Sequence, residues 1–260
     1  MSAAPVLAAE EFHFPGLWLF QWKPIFEIYG FGFTKPMLLG VICAAVILIV
    51  FGMAFWRPKL VPRGLQNIAE YGYVFVRDQI ARTMLGKAGD KYVPLLFSLF
   101  FIVWTFNLMS IVPVAQFPVT SHIAYPFVLA IAMYIFTLYL YIKKHGWSFI
   151  KFATVPEGTP KGIIPIVAPL EFLSTFIIRH FTHFVRLFGN MFAGHILIVM
   201  FATVGWHFLV EALSPKGFML GVLGVVMTFA MFLLELLVQF LQAYIFALLT
   251  AYFISTTDEH

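Results

Sequence analysis

The feature that most constrains this chain is a series of long apolar stretches separated by a few charged loops. A helix needs roughly 20 apolar residues to cross the hydrocarbon core of a bilayer. The chain supplies such stretches from Met37 to Trp56, from Tyr92 to Val114 and from Ile123 to Ile142. Charged residues make up only 11% of the sequence, whereas soluble domains carry about 25%. The pattern predicts an all-α, polytopic membrane protein and excludes soluble, disordered and nucleic-acid-binding classes.

Two further apolar stretches are longer than a single crossing requires. They run from Ile166 to Leu213 and from Gly217 to Ile254, and the second would be roughly 57 Å long as one helix, nearly twice the hydrocarbon thickness. A hairpin of two shorter helices would need Gly or Pro near its middle, but neither occurs between Val225 and Ile254. We therefore expect about five crossings, the last two being long helices that lie strongly oblique to the membrane.

Loop charge predicts the orientation. The loops at 57–91 and 143–161 carry most of the lysines and arginines, and cytoplasmic loops are the ones enriched in these residues. Five crossings then place the segment 1–36 outside and the C-terminus in the cytoplasm, with 37–260 as one membrane domain. Within the first loop, Leu65 to Met84 could form an amphipathic helix on the membrane surface; an ordinary solvated helix is the alternative.

The N-terminus and the single cysteine point to no processing or disulfide. Residues 1–16 lack a basic region and include Glu10 and Glu11, so no signal peptide is expected. Cys43 lies inside the first apolar stretch, where we expect a small side chain facing lipid.

Few ionisable residues remain at membrane depth once the loops are set aside. They are Glu171, Arg179, His180, His183, Arg186 and His195 on the fourth crossing and Glu235 on the fifth. An ionised group there costs several kcal/mol unless it meets water or a partner, so each is a candidate functional residue. Arg179 lies near the cytoplasmic end, where snorkelling to the interface is the alternative.

Helical spacing separates an arginine face from the rest of the fourth crossing. Arg179, Arg186 and Asn190 follow one another at i, i+7 and i+11 and share one face, with His183 about 60° away. His195 is rotated about 180° from Arg186 and lies roughly 14 Å further along the axis. The arginine face and His195 are therefore expected to serve different purposes.

The last crossing carries a polar stripe. Glu235, Gln239 and Gln242 lie at i, i+4 and i+7 on an otherwise apolar helix. Glu235, together with His195 on the preceding helix, could carry protons through a water-filled crevice, because both groups titrate near neutrality when partly buried. For Gln239, an interhelical hydrogen bond without a role in transport is the alternative.

Arg186 has a different chemistry from these titratable groups. A guanidinium keeps its proton at any physiological pH. Arg186 is therefore expected to act as a fixed positive charge that attracts a carboxylate and repels protons.

Two strings of residues closely resemble one protein family. They are Arg186 to Gly194, RLFGNMFAG, and Leu241 to Phe246, LQAYIF, which is followed by a short acidic tail. Together with the shorter matches at Asn107-Leu108-Met109 and Pro169-Leu170-Glu171, they resemble subunit a of F-type ATP synthases over about residues 37–256. The variants around His180 and His195 look most like actinobacterial members.

This resemblance implies a stator subunit in a bacterial plasma membrane, facing a rotating ring of c subunits and attached to b-type peripheral-stalk subunits. Two aqueous half-channels would lead protons to and from the ring. The family's essential arginine corresponds to Arg186, and its polar partner on the last helix corresponds to Gln242. No ATP chemistry and no cofactor are expected in this chain, which lacks a phosphate-binding glycine loop.

The sequence departs from the family pattern at several positions. Many bacterial relatives have glutamate where this chain has His195 and histidine where it has Glu235, so the acid and the imidazole have exchanged helices. Acidic residues common at Ser110 and near His122 are absent. The residues that line the outer half-channel there therefore cannot be carried over from the family.

The predicted function is proton translocation coupled to rotation of the ring. The residues expected to take part are Arg186, His195, Glu235, Gln242, Glu171, Asn190, Gln239 and His183. A stand-alone secondary transporter or proton channel, with a midplane site at Arg186 and Glu235, is the alternative, although no internal repeat supports it. Whether His180 and His183 belong to a channel or to packing stays open at this point.

Overall fold

The computed structural model describes residues 24–28, 31–112, 115–146, 154, 162–211 and 215–257. Its elements in chain order are β1 (Phe26–Ile28), β2 (Phe31–Phe33), α1 (Lys35–Phe55), α2 (Leu65–Phe75), α3 (Arg82–Leu85), α4 (Val93–Leu108), α5 (Ala124–His145), α6 (Ile164–Phe172), α7 (Arg179–Trp206) and α8 (Pro215–Ser255). Within these residues, five helical segments are long and apolar enough to span a membrane. The prediction of a polytopic helical membrane protein is confirmed.

The two long C-terminal apolar stretches form long helical segments over their described residues. Helices α6 and α7 form one continuous segment from Ile164 to Glu211, joined by a π-helical turn at Leu173–Ile178 and ending in another at His207–Glu211. Pro169 lies inside α6, and the π-helical turn begins four residues after it. Helix α8 runs unbroken for 41 residues. The tilt of both segments stays a prediction.

The second apolar stretch ends its helix earlier than expected. Helix α4 stops at Leu108, short of the predicted Val114. The amides of Ser110 and Ile111 donate to carbonyls three residues back, a tight turn that ends an α-helix. The chain then forms a short 3-10 helix at Val119–Ser121 before α5 begins.

The N-terminal segment contains a small antiparallel hairpin that the sequence patterns did not predict. Strands β1 and β2 pair with Phe26 opposite Phe33 and Ile28 opposite Phe31. Residues 1–23, which make up most of the predicted extracytoplasmic segment, lie outside the described residues.

The chain divides into two compact units, and the larger comprises 23–193 and 236–260. Its apolar core includes Val76, Ile80, Val93 and Leu96, which are fully buried. Here the helix predicted at 65–84 forms a continuous helical segment through α2 and α3, with its apolar stripe packed towards α4. Whether this segment lies on the bilayer surface stays a prediction.

The lipid-facing position expected for Cys43 is wrong. The side chain is fully buried, and its Sγ lies 4.0 Å from the carbonyl oxygen of Thr105. Helix α1 packs against α4, so the small cysteine lies in the contact between these helices. The larger unit therefore uses this position for close helix packing.

The smaller unit, described over 194–211 and 215–235, is built from the end of α7 and the start of α8. These helices meet backbone to backbone: a Cβ on Gly224 would lie 2.6 Å from the amide nitrogen of Gly205. A Cβ on Gly221 would be equally close to Cγ of Leu209. Only glycine allows this approach, which is typical of membrane helix contacts.

Candidate functional site

Within the larger unit, α7 has one buried and one exposed face. His183, Leu187 and Met191 recur at i, i+4 and i+8 and are buried. The opposite face leaves Ile178, Phe181 and Val185 exposed. Arg186 and Asn190 are also exposed and lie at the edge of this face. The arginine face predicted from spacing is therefore open on the surface of the chain.

Arg186 differs from Arg179 in its surroundings. Among the described residues, no hydrogen bond or ion pair satisfies the Arg186 guanidinium. Arg179 instead pairs with Glu171, with 3.1 Å between Nη2 and Oε1, and the Thr175 hydroxyl donates to the same oxygen at 3.3 Å. The charge of Arg179 is thus balanced locally, whereas no described residue balances the charge of Arg186; snorkelling of Arg179 stays a prediction.

A side-chain hydrogen bond brings Asn190 and Gln242 together. The Asn190 Nδ2 donates to the Gln242 Oε1 at 2.9 Å, and the Gln242 side chain is buried. This hydrogen bond joins α7 to α8 one helical turn beyond Arg186. It connects the arginine face to the polar stripe on the last helix.

The two histidines before Arg186 contact aromatic rings. The His183 ring lies 4.0 Å from the Phe246 ring, centroid to centroid, with an interplanar angle of 32°. The His180 ring lies 4.5 Å from Tyr134 and 5.1 Å from Phe253. Both histidines therefore have packing contacts within the larger unit.

Gln239 belongs to a buried polar cluster that joins the last helix to the end of α4. Its side-chain amide donates to the Ser110 hydroxyl, and its backbone carbonyl accepts from Asn107 Nδ2 at 3.5 Å. The Thr120 hydroxyl donates to Asn107 Oδ1. The interhelical hydrogen bond considered for Gln239 is present. Asn107 and Thr120 were not predicted as site residues, and the available signal was an uncharged polar side chain inside or beside an apolar stretch.

In the smaller unit, Glu235 lies against the backbone of α7. Its side chain is only 3% exposed, and a Cβ on Gly194 would lie 3.7 Å from the Glu235 Cδ. His195, the next residue, is half-buried. The absence of a side chain at Gly194 leaves room for the carboxyl group, which explains how an acidic residue is accommodated between two apolar helices.

The sequence around these residues matches a known family model. The model described as ATP synthase A chain covers residues 37–255, which include Arg186, Gln242 and both long helices. The chain belongs to the ATP synthase A chain family. Family membership confirms the resemblance inferred from the residues.

Relatives in this family come from actinobacteria, and each is named ATP synthase subunit a. The protein from Streptomyces lividans is 44% identical over 92% of this chain and 85% of its own length. The Rhodococcus erythropolis protein is 41% identical over 98% of this chain and 94% of its own length. The Frankia alni protein is 39% identical over 98% and 89%, respectively. The similarity to ATP synthase A chains therefore extends along nearly the whole sequence.

Proposed function

We propose that this chain is the proton-conducting stator subunit of an F-type ATP synthase, in which Arg186 faces a ring of c subunits. The observation that carries the proposal is an exposed Arg186 that has no hydrogen-bond or ion-pair partner among the residues the structure describes. It lies at the edge of the exposed apolar face of a helix, in a chain of this family. An unpaired charge facing hydrocarbon costs several kcal/mol. This face therefore requires a partner with a negative charge, and a ring carboxylate supplies one.

Protons enter from outside through a crevice served by His195 and Glu235 and neutralise a ring carboxylate. The neutral site can then turn into lipid, where an ionised carboxylate would be strongly disfavoured. After nearly a full revolution the site reaches Arg186, whose fixed charge favours the ionised carboxylate and releases the proton. Arg186 itself keeps its proton throughout, so it separates the two half-channels and does not conduct.

Glu171 belongs to the cytoplasmic exit in this proposal. Its carboxylate accepts from both Arg179 and Thr175, so it is held at a defined place near the start of α7. Asn190, Gln242 and Gln239 line or support the path as uncharged polar groups. The extracytoplasmic N-terminus, the cytoplasmic C-terminus and attachment to b-type stalk subunits in the bacterial plasma membrane are part of the same proposal.

The free energy released by one proton is too small to make one ATP. Moving one elementary charge across 100 mV releases about 2.3 kcal/mol, so several protons are needed for each ATP made. Rotation of the ring would pool these steps and transmit them to catalytic subunits. This chain contributes the proton path and no ATP chemistry.

The proposal is tested by comparing the chain alone with the assembly that copurifies with it under mild detergent. We expect proton flux in liposomes only where an oligomeric ring is present, because the path has to pass through ring carboxylates. Liposomes with the chain alone should match empty liposomes. Substantial proton or solute flux by the chain alone would instead favour the stand-alone transporter or channel.

A further inference from the structure

Resting on the proposed function, we infer that His183 is a positioning residue for Arg186 and carries no proton itself. Its ring packs on Phe246 and holds α7 against α8 immediately before the arginine. The sequence had placed His183 among the residues expected to take part in proton translocation; the inference gives it a structural role instead.

The position of Arg186 between two interhelical contacts supports this role. His183 lies three residues before Arg186 and contacts Phe246 on α8, while Asn190 lies four residues after it and bonds to Gln242. The first contact is a ring stack and the second is a hydrogen bond. The backbone of Arg186 is therefore held on both sides along α7, and its side chain is exposed.

His183 is surrounded by buried apolar and aromatic side chains. The side chain is 3% exposed, and Leu187 and Phe246 beside it in the core are 0% and 1% exposed. Phe253 approaches the same imidazole edge-on, at 5.7 Å between ring centroids. Aromatic pairs at these distances and angles stabilise helix contacts.

A proton relay needs a donor and an acceptor within hydrogen-bonding distance, about 3 Å. Within the described residues, Nε2 of His183 is buried and has no hydrogen-bond partner. Phe246 and Phe253 cannot receive or supply a proton. At Nε2, His183 therefore lacks the hydrogen-bond partner that Nε2 of Gln239 and Oε1 of Gln242 each have.

The decisive comparison is between His183→Phe and His183→Ala in the full ATP synthase complex. Phenylalanine keeps a flat ring that can stack on Phe246 but has no titratable nitrogen. We expect His183→Phe to retain ATP-driven proton pumping within about twofold, whereas His183→Ala should lower the ratio of coupled pumping to passive leakage at least about fivefold, a change worth about 1 kcal/mol. Ring copurification confirms assembly in each variant.

Two further variants keep the test decisive. If His183→Ala reduces assembly, Phe246→Leu disturbs the same contact from α8 and should also increase passive leakage. Phe97→Leu is the control: the Phe97 ring lies 4.9 Å from the Phe51 ring and 4.6 Å from the Phe101 ring, centroid to centroid. These partners lie on α1 and α4, so this variant should leave the leakage ratio unchanged.

Loss of pumping in both His183 variants would overturn the inference, since the imidazole nitrogen would then be required. Wild-type behaviour of His183→Ala and Phe246→Leu would overturn it too, because the stack would have no effect on coupling. Arg186→Ala in the same preparations separates this inference from the proposed function. If that variant pumps normally, the stator proposal itself fails.

Discussion

Arg186→Ala is expected to lower ATP-driven proton pumping at least about a hundredfold, the scale of effect seen when a preorganised charge is removed from a reaction path. Without the guanidinium, an arriving ring carboxylate has no fixed charge to favour its ionised form. The two half-channels are also no longer separated. Passive proton conductance through the membrane sector should therefore persist or rise while coupled pumping disappears, which proton-sensitive dye in inverted membrane vesicles can measure for both modes.

Arg179→Gln is the matched control, because it removes the other arginine of the same helix. Arg179 pairs with Glu171 inside the chain, and after the substitution the Thr175 hydroxyl can still donate to the same carboxylate. Coupled pumping in this control should stay within a few-fold of wild type. Retained coupling in Arg186→Ala, or equal loss in both variants, would contradict the role assigned to Arg186.

Glu235→Gln is expected to reduce proton flux at least about tenfold in both directions, since general acid–base groups contribute about a hundredfold or more where proton transfer limits the rate. Glutamine has nearly the same shape, so the space beside Gly194 remains filled. What is lost is the ability to bind and release a proton. Flux driven by ATP and flux driven by an imposed potential should fall together.

Gln239→Ala provides the comparison for Glu235. It removes a buried amide that donates to Ser110, so some loss of stability is expected from the unpaired hydroxyl and the cavity. Its effect on proton flux per assembled complex should be several-fold smaller than that of Glu235→Gln. Equal reductions would mean that Glu235 serves helix packing.

Much of the fold follows from the apolar stretches alone. The absence of Gly and Pro between Val225 and Ile254 predicts one long final helix, and α8 is unbroken there. The early end of α4 did not follow from hydropathy, because residues after Leu108 are still apolar while their amides turn back to Asn107 and Leu108. The burial of Cys43 likewise depends on which helix packs beside it.

In the candidate site, too, the sequence predicts local features but not the contacts between distant residues. Spacing within one helix predicts that Arg186 and Asn190 lie near one face, because helical geometry is local. The hydrogen bonds of Asn107 with Thr120 and with the backbone of Gln239 join residues that are far apart in sequence. The stack of His183 on Phe246 is equally long-range. Such contacts depend on how the helices pack, so a single sequence does not reveal them.

The most direct measurement of the central claim is a cross-link from the arginine face to the ring. Gly189 lies three residues after Arg186, and a side chain added there would meet nothing within 4 Å, so Gly189→Cys in a Cys43→Ala background can carry a photoactivatable maleimide. Gly52→Cys on α1, equally open, is the matched control. We expect the Gly189 probe to cross-link to a ring subunit and stop ATP-driven pumping, with no ring cross-link from Gly52. Absence of a ring cross-link from Gly189 in intact, pumping complexes would contradict the assignment of this face as the surface on which the ring turns.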